Sequence, residues 1–91
     1  MSKVTLKGYI LVPESDLELV RSELVNHTRL ILEETGCLTF RVIQNLENSL
    51  RFDVYEEFAD KPSFEQHQKR VKASHWGQVT VNVERHYEIF E

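Results

Sequence analysis

The chain has 91 residues, of which 41% are hydrophobic, and this size suits one compact domain over residues 1–91. Its 11 basic and 15 acidic residues give a net charge of -4 without a dense basic cluster, which argues against nucleic acid as a partner. With one cysteine, no apolar run of membrane-spanning length and no signal-peptide pattern, we expect a cytoplasmic protein that has no intrachain disulfide and does not contact membranes.

The first predicted elements are a strand and a helix. Residues 3–12 alternate apolar and polar side chains as a strand does, and Pro13 ends the strand because it cannot donate a ladder hydrogen bond. From Ser15, the predicted cap, apolar side chains recur at helical spacing for about five turns until Gly36. The apolar stripe of this helix comprises Leu17, Val20, Leu24, His27 or Thr28, and Ile31.

Two further strands are predicted to form a hairpin. Residues 37–44 alternate with period two, and residues 50–58 do so again after the polar segment 45–49. One face of the first strand is predicted to carry Leu38, Phe40 and Val42, and one face of the second Phe52, Val54, Glu56 and Phe58.

The last third of the chain predicts a helix and a final strand. Asp60 and Pro62 are typical of a helix start, and the residues after them place apolar side chains on one stripe. Residues 79–83 are β-branched and fit either a helix or a strand, whereas residues 84–90 alternate as a last strand. The stripe of the second helix comprises Phe64, His67, Val71 and Ser74.

This order of elements predicts an α+β fold of the ferredoxin-like β-α-β-β-α-β type, in which two helices cover one face of a four-stranded antiparallel sheet. The predicted occupants of the uncovered face are Tyr9, Leu11, Thr39, Ile43, Asp53 and Tyr55. Contiguous apolar surface of this kind usually marks an association site, and two-fold pairing is the commonest solution. We therefore expect a homodimer that packs sheet against sheet.

Two titratable side chains point toward the predicted core. Glu56 stands in the apolar row of its strand, and His67 stands on the apolar stripe of the second helix. Burying a polar group costs free energy unless the group is partnered, and such groups often mark a functional pocket. An imidazole beside a carboxylate can transfer protons at neutral pH, so we predict that both residues are catalytic. The equal alternative is a structural tie in which the two residues only satisfy each other.

Six further residues are predicted to line a substrate pocket. His27 flanks the inner stripe of the first helix, although a boundary position of this kind is more often half in solvent. His75 and Trp76 end the second helix and would rim the pocket mouth, although a lone tryptophan is more often a packing anchor. The other predicted lining residues are the core aromatics Phe40, Phe52 and Phe64.

No cofactor or metal is expected from the sequence. The three glycines are isolated, so there is no phosphate-binding loop, and no nucleophile elbow is present. The four histidines include no pair at i, i+4 spacing, which a helical zinc site would need. Cys37 has no obvious group to stabilise its thiolate and is interpreted as a small apolar residue.

Several short motifs follow one another in a recognisable order. They are His27 with EETGCLTF over residues 33–40, RFDVYEEFAD over 51–60, FEQHQ over 64–68 and SHW over 74–76. With these motifs the chain resembles the antibiotic biosynthesis monooxygenase (ABM) family over almost its whole length. The resemblance implies a dimeric ferredoxin-like α+β barrel and a cofactor-free oxygenase that acts with dioxygen on quinols or related phenolic molecules.

The resemblance also implies roles for individual residues. His67 would be the base or proton shuttle, Glu56 its orienting partner and Trp76 a pocket wall. The base would remove a phenol proton, the anion would pass an electron to dioxygen, and a peroxy intermediate would lose water to leave a quinone. The substrate supplies the reducing power, so the protein need only desolvate and orient the ring and handle protons.

The sequence departs from the family pattern in two ways. Thr35 stands where many relatives have a proline, which affects a turn rather than the chemistry. The haem-degrading branch has an asparagine on the first strand and a tryptophan ahead of the second helix, and both are missing here, so haem degradation is disfavoured.

Two other functions stay open from the sequence. An isomerase or an enzyme that degrades a small signalling metabolite would use the same pocket for proton transfer without oxygen. A non-catalytic ligand-binding dimer would use His67 and Glu56 only as a structural pair.

Overall fold

The computed structural model describes residues 3–91, which form a four-stranded antiparallel sheet with helices on one face. The strand order is β2-β3-β1-β4, so the predicted ferredoxin-like α+β fold is confirmed. A 3-10 turn, Glu14–Asp16, precedes the first helix. The elements are β1 (Val4–Leu11), α1 (Leu17–Leu32), β2 (Cys37–Gln44), β3 (Arg51–Phe58), α2 (Lys61–Ala73), α3 (His75–Val79) and β4 (Glu84–Phe90).

The register of the central strands determines which side chains face the helices. β1 pairs with β3 on one side and with β4 on the other, so that Leu6 lies opposite both Glu56 and Ile89. β3 alternates half-buried and fully buried residues along its length, as its period of two predicts. Glu56 therefore lies on the buried side of the sheet, within the row of Phe52 and Phe58.

The hydrophobic core lies between this side of the sheet and the helices. α2 begins as predicted, because the Asp60 carboxylate accepts a hydrogen bond from Ser63 N at 2.9 Å. Its buried residues are Phe64 and His67, and the Phe64 ring packs against Phe58 with centroids 5.6 Å apart. The other core residues are Val4, Leu6, Ile10, Val12, Val20, Phe52, Val54, Trp76, Val79 and Val83.

The start of α1 differs from the prediction. Ser15 is not the cap, because it lies within the 3-10 turn and the helix begins only at Leu17. Asp16 is the residue at the N-cap position, and its side chain makes no capping hydrogen bond within residues 3–91. α1 has 16 residues and ends at Leu32, and the chain then turns through Gly36, whose φ of 92° favours glycine.

One other local prediction is wrong, and one segment that the sequence left open is assigned by the structure. Leu38 was predicted to face inward, yet it is 56% exposed because the β2–β3 register shifts between Cys37 and Thr39. The segment after α2 forms the short helix α3, which begins where Ser74 Oγ accepts a hydrogen bond from Gly77 N at 3.2 Å. The ambiguous residues 79–83 thus form the end of α3 and the turn to β4.

The side of the sheet away from the helices forms one broad groove in the described part of the chain. As the alternation predicts, Tyr9, Thr39, Ile43, Asp53 and Tyr55 line it. Every residue of β4 is exposed, including those that point to the helix side of the sheet. Within residues 3–91, no helix combines the length and the apolar character that crossing a membrane requires.

Candidate active site

The predicted Glu56 and His67 pair is present and buried. His67 Nε2 lies 3.4 Å from Glu56 Oε1, and the two side chains are only 3% and 9% exposed. β3 places Glu56 on the buried side of the sheet, and the apolar stripe of α2 places His67 above it. The contact is an ion pair rather than an aligned hydrogen bond, so Glu56 Oε1 has no hydrogen-bond partner among residues 3–91.

A second carboxylate binds the other ring nitrogen of His67. His67 Nδ1 lies 3.1 Å from Glu34 Oε1, and the Glu34 side chain is 10% exposed. Sequence reasoning missed this residue, because it follows the end of α1. Glu34 N donates to Ile31 O at 3.0 Å, so the chain keeps a helical course past Leu32 and Glu34 continues the buried stripe of α1. Extending the i, i+3 pattern beyond Ile31 would have found it.

The two carboxylates control the charge of His67. Burial alone would lower the pKa of His67, but the adjacent Glu56 and Glu34 outweigh this effect and raise the pKa above its ordinary value. Both ring nitrogens face carboxylate oxygens, which matches the two donors of an imidazolium. The arrangement therefore favours the charged form of His67, and Glu56 Oε1, which faces it without an aligned hydrogen bond, keeps the capacity to accept one.

His27 is a neutral neighbour of this cation. Its ring stacks on Trp76 with centroids 4.6 Å apart and planes 8° from parallel, and it meets Phe40 edge-on at 5.5 Å. Burial and the positive charge of His67 lower the pKa of His27 to about 4, although Glu23 acts in the opposite direction. The pKa values of the two buried histidines are thus shifted in opposite directions.

A cavity of about 460 Å³ lies beside these groups, between the sheet and the helices. Its wall includes Leu6, His27, Glu56, His67, Trp76 and Tyr87. Tyr87 was not predicted, and it is 36% exposed as a whole residue. Burial around its hydroxyl group and the charge of Glu56 raise the pKa of Tyr87 to about 12, so it stays protonated.

The alternation of residues along the last strand is the feature of the sequence that could have indicated Tyr87. Arg85, Tyr87 and Ile89 form one face of β4, and Tyr87 lies opposite Gly8 of β1. A side chain at Gly8 would clash with the backbone oxygen of His86, so glycine is required where β1 meets this part of β4. That pairing depends on the register between the two strands, which the alternation within each strand does not determine.

The other predicted lining residues lie around the cavity rather than on its wall. Phe52 and Phe64 are core residues, and Phe40 packs behind the histidines, with its ring 6.4 Å from that of His67. His75 is exposed, and its Nδ1 lies 3.0 Å from Glu23 Oε1 of α1. The structure thus brings His27, Glu56, His67 and Trp76 together and places His75 in a surface ion pair; the binding roles of all of them stay predictions.

Within residues 3–91, no three His, Cys, Asp or Glu side chains are arranged to hold a metal ion. What the site offers is a carboxylate oxygen without an aligned hydrogen bond, an adjacent imidazole that the carboxylates hold toward its charged form, and aromatic walls. These groups can take a proton from a bound molecule and stabilise the anion that results.

The family model for antibiotic biosynthesis monooxygenases (ABM) matches residues 4–78. The chain belongs to the ABM family. The matched range includes the motifs around Glu34, Glu56, His67 and Trp76, and it ends before β4. No curated protein matches the chain in sequence.

Solved structures of ABM-like proteins share the fold. A conserved protein of unknown function from Bacteroides thetaiotaomicron is 21% identical and superposes with a TM-score of 0.83, over 99% of this chain and 97% of that one. A protein from Nitrosomonas europaea, provisionally named an antibiotic biosynthesis monooxygenase, is 17% identical with a TM-score of 0.78, and the match covers 97% of this chain and 85% of that one. A similarly named protein from Deinococcus radiodurans is 17% identical with a TM-score of 0.75, and the match covers 99% of this chain and 91% of that one. At these identities the likeness shows the fold alone, and with family membership it supports a general monooxygenase-like function.

Proposed function

We propose that this protein is a cofactor-independent monooxygenase that oxidises a quinol or a related phenolic molecule with dioxygen. The observation that carries the proposal is Glu56 Oε1, which is buried on the wall of a partly aromatic cavity, lies 3.4 Å from His67 Nε2 and makes no aligned hydrogen bond among residues 3–91. A buried acceptor without a donor costs free energy, and a phenolic hydroxyl group would satisfy it.

The first step is removal of the phenol proton. We propose Glu56 as the direct acceptor, because both nitrogens of His67 already face carboxylates and neither is free to receive a proton from the ligand. This assignment exchanges the roles that the family resemblance implies for the two residues. The His67 cation then lies next to the phenolate, which it stabilises.

The second step is the reaction of the phenolate with dioxygen. The phenolate passes one electron to dioxygen, and the two radicals combine at a ring carbon that bears hydrogen, ortho or para to the phenolic oxygen. The resulting peroxide takes a proton from Glu56, the hydrogen on that carbon leaves as a proton to the Glu56 carboxylate, and the oxygen–oxygen bond breaks with loss of hydroxide, which becomes water. The products are a quinone with one atom of dioxygen and a water molecule with the other. The substrate is the only reductant.

The cavity suits a small aromatic molecule. Its volume of about 460 Å³ lies within the range of ordinary ligand pockets, and the stacked rings of His27 and Trp76 form a planar wall. The protonated hydroxyl group of Tyr87 supplies a hydrogen-bond donor near Glu56. A flat ring with one acidic hydroxyl group therefore matches both the shape and the polarity of the site.

We also propose that the protein is a homodimer that associates through the uncovered sheet face. This face carries Ile43, which is 57% exposed, and the rings of Tyr9 and Tyr55. Part of its polar surface is already paired: Glu57 accepts hydrogen bonds from Tyr55 at 2.6 Å, and from Lys3 and Thr39 at 3.0 Å. Paired polar groups lower the cost of removing this face from water.

Oxygen uptake with a panel of naphthols and hydroquinones tests the proposal. Insertion of oxygen consumes one dioxygen for each quinone formed and gives water, so added catalase returns no oxygen. Simple dehydrogenation of a hydroquinone gives hydrogen peroxide instead, and catalase then returns half of the oxygen consumed.

A matched pair of variants tests whether turnover depends on Glu56. Glu56→Gln keeps the shape and removes the acceptor charge, so we expect kcat to fall by about 10²- to 10⁴-fold. Glu65→Gln makes the same change on the exposed side of α2 and should keep full activity. Turnover without oxygen would favour the isomerase or metabolite-degrading alternative, and tight binding without any turnover would favour a ligand-binding protein; either result overturns the proposal.

A further inference from the structure

Two buried carboxylates face the imidazole ring of His67, although a single one would be enough to orient it. Glu34 Oε1 lies 3.1 Å from Nδ1, and Glu56 Oε1 lies 3.4 Å from Nε2. The Glu34 and Glu56 side chains are 10% and 9% exposed, so both have lost most of their water. Each buried carboxylate costs free energy, and one alone would fix the ring and its tautomer. The second carboxylate therefore calls for a separate explanation.

We infer that Glu34 is a positioning residue that keeps His67 positively charged while Glu56 takes up the proton of the substrate. The inference rests on the proposed function, because it gives Glu34 a task only if Glu56 changes its charge during the reaction. Glu34 itself does not line the cavity beside Glu56, so it acts through His67.

The charges explain why one carboxylate would be insufficient. When Glu56 becomes a neutral acid, it no longer balances the imidazolium, and a buried cation without a partner tends to lose its proton. Glu34 holds the Nδ1 side of the ring and is untouched by that change. The imidazolium then persists beside the phenolate at the moment when electron transfer to dioxygen needs a nearby positive charge.

Glu34 has a second cationic neighbour besides His67. Arg70 of α2 lies 3.9 Å from Glu34 Oε2, which is a favourable, partly exposed ion pair. With His67, Arg70, Glu34 and Glu56 charged, the cluster is electrically neutral. After Glu56 is protonated, the new phenolate replaces its negative charge, so neutrality is kept.

The remaining groups around His67 do not take over this role. From α1, His27 is neutral at ordinary pH, and from the sheet, Phe40 and Phe58 present aromatic rings. Burial raises the pKa of Cys37, and the charges of Glu34 and Glu56 raise it further, so the thiol stays neutral as well. Tyr87 near Glu56 is also protonated. Among these groups only Glu34 supplies a second negative charge to the ring.

NMR of nitrogen-labelled histidine side chains tests the inference without a substrate. An imidazolium carries protons on both ring nitrogens and a neutral ring on one, and a His67→Gln sample identifies the signal of His67. Glu56→Gln imitates the protonated acid, and we expect His67 to stay an imidazolium at neutral pH in this variant. In the double variant E34Q/E56Q the imidazolium fraction should fall about tenfold or more.

Two results would overturn the inference: a neutral His67 in E56Q, or an unchanged imidazolium in E34Q/E56Q. Glu65→Gln is the matched control and should leave the His67 signal unchanged. If the double variant does not fold, E34Q alone decides, because His67 should then titrate at lower pH than in the unmodified protein, and equal titration would contradict the inference. Since none of these measurements involves turnover, their outcome is separate from that of the oxygen-uptake experiment.

Discussion

The ring of His27 lies against the ring of Trp76, with centroids 4.6 Å apart and planes 8° from parallel. This stack buries a neutral imidazole next to the His67 cation, and it connects α1 to α3 across the candidate site. Since a neutral histidine in such a place resists protonation, the stack links folding stability to pH.

We expect the His27 stack to make the protein sensitive to mild acid. The pKa of His27 is about 4 in the folded protein and near 6.5 in an unfolded chain, so protons bind the unfolded state first as the pH falls between these values. The stabilising contribution is therefore present above about pH 6.5 and is lost toward pH 4. Between pH 7 and pH 5 the loss should be about 2 kcal/mol. Urea unfolding of the protein and of His27→Gln at both pH values checks this, and an equal change in the two proteins would contradict it.

Removing the His67 cation should destabilise the protein strongly. In His67→Gln the buried carboxylates of Glu34 and Glu56 lose their shared cation, so we expect the free energy of unfolding to fall by roughly 3 kcal/mol at neutral pH. Lower pH should restore part of this loss in the variant, because protonation neutralises the carboxylates. Urea unfolding at several pH values measures the effect. His75→Gln, a change of an exposed histidine away from the uncovered sheet face, should cost little, and a similar cost for both variants would refute the prediction.

In the unmodified protein the titration of His67 changes folding stability with pH in the opposite direction to the titration of His27. Because the pKa of His67 is raised on folding, its stabilising contribution is complete below the unfolded value of about 6.5 and is lost as the pH rises through the folded value. We expect a stability maximum of the unmodified protein at the pH where the effects of His27 and His67 balance.

The open sheet face should hold the dimer together. We expect sedimentation equilibrium to show a dimer at micromolar concentration, and Ile43→Lys to shift it toward monomer because a cation would be buried at the contact. The new lysine lies opposite Asp53 on the neighbouring strand, so the fold itself tolerates it. Leu46→Lys introduces the same charge in the exposed β2–β3 turn and should leave the dimer intact. A monomer at micromolar concentration, or a dimer that ignores Ile43→Lys, would exclude this interface.

The two long helices provide a matched test of N-capping. Asp60 accepts a hydrogen bond from Ser63 N at 2.9 Å, whereas Asp16 at the start of α1 makes no side-chain capping bond within residues 3–91. Asp60→Ala should therefore lower the free energy of unfolding by about 1 kcal/mol, and Asp16→Ala by only a few tenths, mainly through the helix dipole. Thermal or urea unfolding measures both, and equal losses would contradict the capping geometry.

The sequence predicted the parts of the site that follow from local periodicity. Alternation along β3 put Glu56 on the buried side, and helical spacing along α2 put His67 on the buried stripe, so their meeting followed once the fold was known. Periodicity stops at the ends of elements. Glu34 lies just past such an end, and its contact with His67 depends on how the chain turns after α1. Tyr87 depends on the register between β1 and β4, which neither strand determines alone.

The remaining errors also have local physical causes. Leu38 is on the opposite face from the predicted one because of a single register shift. Such a shift moves side chains to the other face of the sheet, while the apolar and polar residues still alternate in the sequence. The helix α3 has only five residues, too few to show a period, and it begins at the Ser74 cap. His75 binds Glu23 on another helix, a pairing that sequence spacing cannot indicate.

The exposure of β4 sets this strand apart from the elements that carry Glu56 and His67. Glu56 and His67 belong to tightly packed elements, where most substitutions would harm folding. Tyr87 and Ile89 belong to an edge strand that no helix of the described chain covers, so replacing them removes few packing contacts. If the proposed function holds, the side chain at position 87 is therefore the part of the cavity wall that can change most easily, and with it the molecules that fit, while Glu56 and His67 stay in place.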